Sequence, residues 1–145
     1  MWTISNLVCF FILVVLSLKD IQTHQVSVPA LAASASAGVI YHLVSREMDA
    51  ILILGGILVG VLFLGLSKVT GEGIGYGDSV GILVLGSYLG IWGILVVTAI
   101  AFLLLACVVI PVLWTKKMSR KCAIPFYPFL TLGYVGMILM GGVQA

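Results

Sequence analysis

Charge is what this sequence has least of. Of 145 residues, five are acidic, seven are basic and two are histidine, so that 8% are charged. A soluble domain carries roughly 25%. A chain this poor in charge cannot cover its surface in water, and lipid is the expected solvent for most of it. The net charge of +2 is too small to point to a nucleic-acid partner. Cysteine is also scarce. Cys9, Cys107 and Cys122 form no CxxC pair, which leaves no zinc or redox motif, and all three are expected to be buried packing residues. No metal and no cofactor are expected. Positive charge is missing from Met1–Asn6, and the first apolar run ends at Leu18, far from the cleavage-like Ala30-Leu31-Ala32. The first segment is therefore expected to be a retained helix rather than a signal peptide.

What the chain does have is long apolar runs, with 62% hydrophobic residues. A spanning helix needs about 20 largely apolar residues. Runs of that kind cover Trp2–Leu18, Val26–Val44, Ala50–Leu66 and Ile124–Val143. The run Val80–Trp114 is too long for one crossing at about 1.5 Å per residue and is expected to divide near Gly90–Gly93. The expected fold is all-α: one membrane-embedded domain over residues 1–145 with six transmembrane helices.

The loops after spans 1, 3 and 5 hold Lys19, Lys68, Lys116, Lys117, Arg120 and Lys121, whereas those after spans 2 and 4 hold only Arg46. The positive-inside rule makes the first set cytoplasmic and both termini extracytoplasmic. The Lys116–Lys121 cluster serves mainly as a topology determinant. Small residues in Ala32–Gly38, and the pairs Gly56/Gly60 and Gly86/Gly90, are expected to pack helices closely.

The five acidic residues are Asp20, Glu47, Asp49, Glu72 and Asp78. Glu47 and Asp49 share a short outward loop with Arg46 and read as solvated charges at a helix boundary. Asp20 follows the first apolar run by two residues, and Asp78 precedes another. Two crossings lie between them, so both carboxylates come to the same membrane face at similar depth. Ionisable groups at a membrane boundary are functional candidates by default. Two carboxylates held close share a proton. The ionised one can then take a proton from water while the other polarises a peptide carbonyl. Two other readings stay open: Asp78 as a helix N-cap, and Asp20 as a loop charge beside Lys19.

Gly71, Gly73, Gly75 and Gly77 alternate before Asp78. Glycine permits positive φ and close backbone approach, so this stretch is expected to hold an extended substrate strand. A phosphate-cradling loop is the rival reading. It lacks the following Lys-Ser/Thr and the βαβ context that a phosphate loop requires.

Four segments in order carry a family resemblance. Ser17-Leu18-Lys19-Asp20 with Ile21–Val26 looks like a first-aspartate segment. Gly75-Tyr76-Gly77-Asp78 matches a second-aspartate motif, and Gly86-Ser87-Tyr88-Leu89-Gly90 matches the pattern that follows it. Ile124-Pro125-Phe126-Tyr127-Pro128-Phe129-Leu130, then Gly133, looks like a closing Ile-Pro-Phe-x-Pro-Phe segment. Together they span nearly the whole chain and resemble the prepilin peptidases, membrane aspartyl peptidases of the GxGD type. The chain departs from that pattern at Val26-Ser27-Val28, where members often carry Ile-Pro-Asn, and at Val80, where they often carry Lys.

The resemblance implies Asp20 and Asp78 as the catalytic pair. The implied substrate is a pilin-like precursor with a short basic leader, cut at the cytoplasmic face of the inner membrane. The larger members add a CxxC-bearing N-terminal region and methylate the new terminus. This chain resembles the short form without it, so no methyltransferase activity and no S-adenosylmethionine are expected. Gly75 and Gly77 would support substrate. Glu72 would attract the basic leader or be a solvated loop charge. His24, four residues after Asp20, would tune the pair or be merely solvated. His42 is expected to be an interfacial or helix-bonding residue. Pro125 and Pro128 would shape a substrate groove or simply start the last helix. The alternative from another class is a non-enzymatic membrane subunit, a pore or assembly factor, with two boundary carboxylates. Another GxGD class, such as the presenilin-like proteases, fits the short chain and its closing segment less well.

Overall fold

The computed structural model describes residues 4–23, 28–46, 48–71, 75–115 and 124–141. Among these the chain is all-helical, with no strand. The helices are α1 (Ile4–Thr23), α2 (Val28–Ser45), α3 (Ala50–Val69), α4 (Tyr76–Trp114) and α5 (Tyr127–Leu139). By length and composition α2, α3 and α4 are able to cross a membrane. Helices satisfy their backbone groups internally, which is what hydrocarbon demands. The outside of the bundle is correspondingly greasy: Ile51, Leu54, Leu58 and Leu62 along α3 all face outward. Contiguous apolar surface on that scale suits lipid rather than water.

Helix α4 is the hub. Helix α3 lies along its first half, α2 and α5 pack on it, and α1 packs mainly on α5. The α3–α4 seam is built on missing side chains. A Cβ on Gly56 would run into the Gly86 carbonyl, and one on Gly60 would run into the Leu83 backbone. Such contact between backbones is how helices gain dispersion energy where no hydrophobic effect drives them together. The expected role of Gly56, Gly60 and Gly86 is thus met. That of Ala32–Gly38 is met at Gly38, which receives the Tyr88 ring, and at Ala35, which packs half-buried against the core. Ala32, Ala33, Ser36 and Ala37 are exposed instead, because α2 touches its neighbours along a narrow stripe of Leu31, Gly38 and His42.

The expected break in the long run falls at Gly90, whose φ of 68° and ψ of −176° interrupt α4. Only glycine adopts such a backbone without strain. A break frees carbonyls of the preceding turn. Tyr88 offers one of them, and His42 Nε2 donates to it at 2.9 Å. The Tyr88 hydroxyl donates in turn to the Ser34 carbonyl at 2.9 Å. His42, only 4% exposed, is therefore a helix-bonding residue.

Several boundaries differ from those expected. Helix α1 continues to Thr23, so Asp20 lies within its last turns rather than beyond it. Helix α3 continues past Leu66 to Val69, with Thr70 Oγ1 capping the Leu66 carbonyl at 2.7 Å. Helix α4 starts at Tyr76, so the non-helical stretch is shorter than Ser67–Ser79. Helix α5 begins at Tyr127, not Ile124, because Pro128 supplies no N–H and is tolerated only in a first turn. Cys9 is buried as expected, but Cys107 is exposed. No residue of α4 beyond Ala101 is buried, so nothing among the described residues covers that side chain. Cys122 and the Lys116–Lys121 cluster lie outside the described residues. Asp49 is exposed at the N-cap position of α3, a boundary charge as expected, whereas Glu47 lies outside the described residues.

Candidate functional site

Three helix ends meet at one place: the last turns of α1, the first turn of α4 and the first turn of α5. Asp20 comes from the first and is 7% exposed. Asp78 comes from the second and is half-buried. Fifty-eight positions separate them in the chain, yet the two carboxylates lie within electrostatic reach of each other. Both also act on the Tyr127 ring hydroxyl.

Tyr127 is the element that joins them. Its backbone N–H donates to Asp20 Oδ2 at 3.3 Å. Its hydroxyl donates to the Gly77 carbonyl at 2.7 Å. One residue at the start of α5 thus holds the α1 carboxylate and the backbone beside the α4 carboxylate. The ring fits because position 81 has no side chain: a Cβ there would lie 2.5 Å from Tyr127 Oη. Phe126, next to it, is buried and packs on Phe102, with ring centroids 5.3 Å apart. Farther along α5 the Tyr134 hydroxyl donates to the Asn6 carbonyl at 3.0 Å, which ties the other end of α1 to the same helix.

At the start of α4 the N-cap is Gly75, with φ of −54° and ψ of 133°. Asp78 stands three residues later, so it is not the cap. Its carboxylate leans back, and a Cβ on Gly75 would lie 2.8 Å from Asp78 Oδ2. An acidic side chain in a first turn meets the positive end of the helix dipole. Ser79 closes the turn: its one hydroxyl proton is shared between the Phe63 carbonyl of α3 at 3.2 Å and the Gly75 carbonyl at 3.3 Å. The Asp78 turn is thereby held from both sides, by α3 through Ser79 and by α5 through Tyr127.

The extended glycine strand expected over Gly71–Gly77 is not what forms at its end. Gly77 is helical, and its carbonyl is taken by Tyr127. Gly71 does adopt the left-handed conformation, at φ 60°, immediately after α3. Pro125 lies half-buried just before the junction and Pro128 sits in the first turn of α5. Glu72 and His24 lie outside the described residues. Among the described residues no three His, Cys, Asp or Glu side chains gather to hold a metal ion.

Sequence reasoning missed Tyr127 and Gly81. A tyrosine in an apolar helix start needs a hydrogen-bond partner for its hydroxyl, which is a signal that could have singled it out. Gly81, three residues after Asp78 on the same helix face, is the matching clearance. Comparison of the chain with protein-family models, with curated proteins and with solved structures gives no match.

Proposed function

We propose that the chain is an intramembrane aspartyl endopeptidase acting on pilin-like precursors, with Asp20 and Asp78 as the catalytic pair. The observation that carries this reading is the junction itself. Two carboxylates from helices distant in sequence converge, and one residue of the Pro-Phe-Tyr-Pro segment fastens both of their backbones or side chains. Close carboxylates are costly and have a use: they share a proton. In the proposed reaction one carboxylate takes a proton from water as the water oxygen bonds to the scissile carbonyl carbon. The other carboxyl gives its proton to the carbonyl oxygen. The tetrahedral intermediate then collapses, the C–N bond breaks, and the departing nitrogen takes up a proton. Water is the only co-reactant, and the products are a carboxylic acid and an amine.

The membrane arrangement belongs to the same proposal. The part of α4 before Gly90 and the part after it count as separate crossings, which with the other four helices makes six. The junction faces the cytoplasm and both termini face outward, in the inner membrane, as the lysine distribution requires. A precursor would keep its basic leader in the cytoplasm and its apolar helix in the bilayer.

The test is cleavage of a pilin-like precursor co-expressed with the chain, and with Asp20→Asn and Asp78→Asn separately. Each variant is expected to lose at least about a hundredfold in rate, the lower range for removing a positioned acid or base, while folding normally in detergent. An undiminished rate in either variant refutes the pairing and favours a non-enzymatic subunit.

A further inference from the structure

We infer that Ser79 is a positioning residue for Asp78, tying its carboxyl to the body of α3 through the Gly75 peptide. The inference rests on the peptidase reading and adds to it the side chain that anchors one member of the pair to a neighbouring helix.

Serines in helices ordinarily turn their hydroxyls back onto their own backbone. Ser34, Ser36 and Ser87 do so, donating to the carbonyls of Leu31, Ala33 and Val84 at 2.8, 2.8 and 2.6 Å. Ser79 departs from that habit. It is fully buried, and its one proton is shared between the Gly75 carbonyl of its own helix and the Phe63 carbonyl of α3. Neither carbonyl depends on it. The Gly75 carbonyl already receives the Ser79 amide at 3.1 Å, and Phe63 lies within the hydrogen-bonded body of α3. Alanine at position 79 would strand no backbone group, and it would avoid the cost of burying a hydroxyl. The fold therefore does not need this hydroxyl.

What the hydroxyl does reach is the place where the Asp78 carboxyl rests. Gly75 is the N-cap of α4 and is exposed. A Cβ there would lie 2.8 Å from Asp78 Oδ2 and 3.3 Å from its Cγ, so the carboxyl lies over the bare Cα of Gly75. The orientation of that peptide decides where the carboxyl can settle. Two carbonyls of the turn are thus fastened to different helices: Gly75 through Ser79 to α3, and Gly77 through Tyr127 to α5. A turn fastened at one point can swivel about it, and a turn fastened at two cannot. Reacting groups misplaced by about 1 Å lose up to about a hundredfold in rate, so the second fastening has a use in catalysis that it lacks in folding.

The first arm of the test measures precursor cleavage by the purified full-length chain. Ser79→Ala is expected to lower kcat about fivefold, the worth of one net hydrogen bond. KM should stay within about twofold, and the thermal midpoint should hardly move. Ser79→Cys, close in size and a weaker donor, should fall between Ser79→Ala and wild type. Ser87→Ala removes a buried hydroxyl that stays within its own helix, and kcat should not change.

The second arm needs no substrate. A carbodiimide with glycine ethyl ester converts a carboxyl to an amide, the carbodiimide leaving as a urea. Peptide mapping by mass spectrometry reads the extent at Asp78 against exposed Asp49. The ratio is expected to rise in Ser79→Ala, where the carboxyl is no longer held over Gly75, and to stay at wild type in Ser87→Ala. A wild-type kcat in Ser79→Ala, a ratio that does not rise, or an equal loss in Ser87→Ala overturns the positioning role. So does a Ser79→Ala chain that fails to fold, since the hydroxyl would then serve the fold. A wild-type chain that cleaves no precursor overturns the peptidase reading instead, and the labelling ratio still decides whether Ser79 holds Asp78.

Discussion

The two contacts that α4 makes with α3 and with α5 are built on opposite principles. Along α3 the contact depends on absent side chains: Gly56 against Gly86, Gly60 against Leu83, backbone on backbone. At the junction with α1 and α5 it depends on a large polar side chain, Tyr127, with a hydrogen bond in each direction. The first kind of contact has no tolerance for added volume, since interiors are close-packed. The second has some tolerance for volume and almost none for a lost donor. A seam of the first kind fixes how far apart two rods lie. A junction of the second kind fixes where individual atoms lie, and it is there that Asp20 and Asp78 come within electrostatic reach of each other.

Substitutions should separate the two principles. The largest expected effect is in the seam. Gly86→Leu drives a branched side chain into the Gly56 backbone and should cost more than about 3 kcal/mol, the upper range for overpacking. Recovery of monodisperse protein from detergent would be lost. A well-folded Gly86→Leu protein would mean that α3 and α4 do not meet as described. A smaller effect is expected at Gly81→Ala. The new methyl presses on the Tyr127 hydroxyl, for a cost of about 1 to 2 kcal/mol and a several-fold loss of precursor cleavage. Combined with Tyr127→Phe, the stability cost of Gly81→Ala should shrink in part, because the nearest atom it strikes is gone while the ring carbons Cε1 and Cζ, each 2.8 Å away, remain. Thermal unfolding of the four proteins in a double-mutant cycle measures that coupling, and strict additivity would separate Gly81 from Tyr127. The smallest effect is expected at the Gly90 break. His42→Ala leaves the Tyr88 carbonyl unpaired there and should cost about 1 kcal/mol in thermal unfolding, the lower end for a buried acceptor losing its donor.

The helices were legible because each is an apolar run long enough to be one, and in lipid such a run has little alternative. The break at Gly90 was legible from length alone. Helix ends were less so. Apolar periodicity stops at Leu18, but α1 goes on through Asp20 to Thr23, because Asp20 finds its hydrogen-bond partner on another helix. The same holds at α5, where Ile124 is apolar enough to belong but Pro128 sets the start. That Asp20 and Asp78 should come near each other was an expectation from counting crossings, and the two do lie within electrostatic reach. That Tyr127 bridges them does not follow from such counting, because the bridge depends on which way a tyrosine ring points and on an empty position at Gly81, and neither is periodic. The glycines before Asp78 misled for a related reason. Alternating glycine suggests an extended strand, whereas Gly77 supplies a helical carbonyl to Tyr127.

The break at Gly90 has a consequence for the surrounding membrane. The part of α4 between Tyr76 and Leu89 is about 21 Å long and α5 about 20 Å, at 1.5 Å per residue. The hydrocarbon core of a bilayer is about 30 Å thick. On the proposed six-span arrangement, two of the three rods that meet at the junction are shorter than that core, and the lipid beside them would thin to match. Such a dimple would bring headgroups and water down to Asp20 and Asp78, and lipids with shorter acyl chains would form it with less distortion.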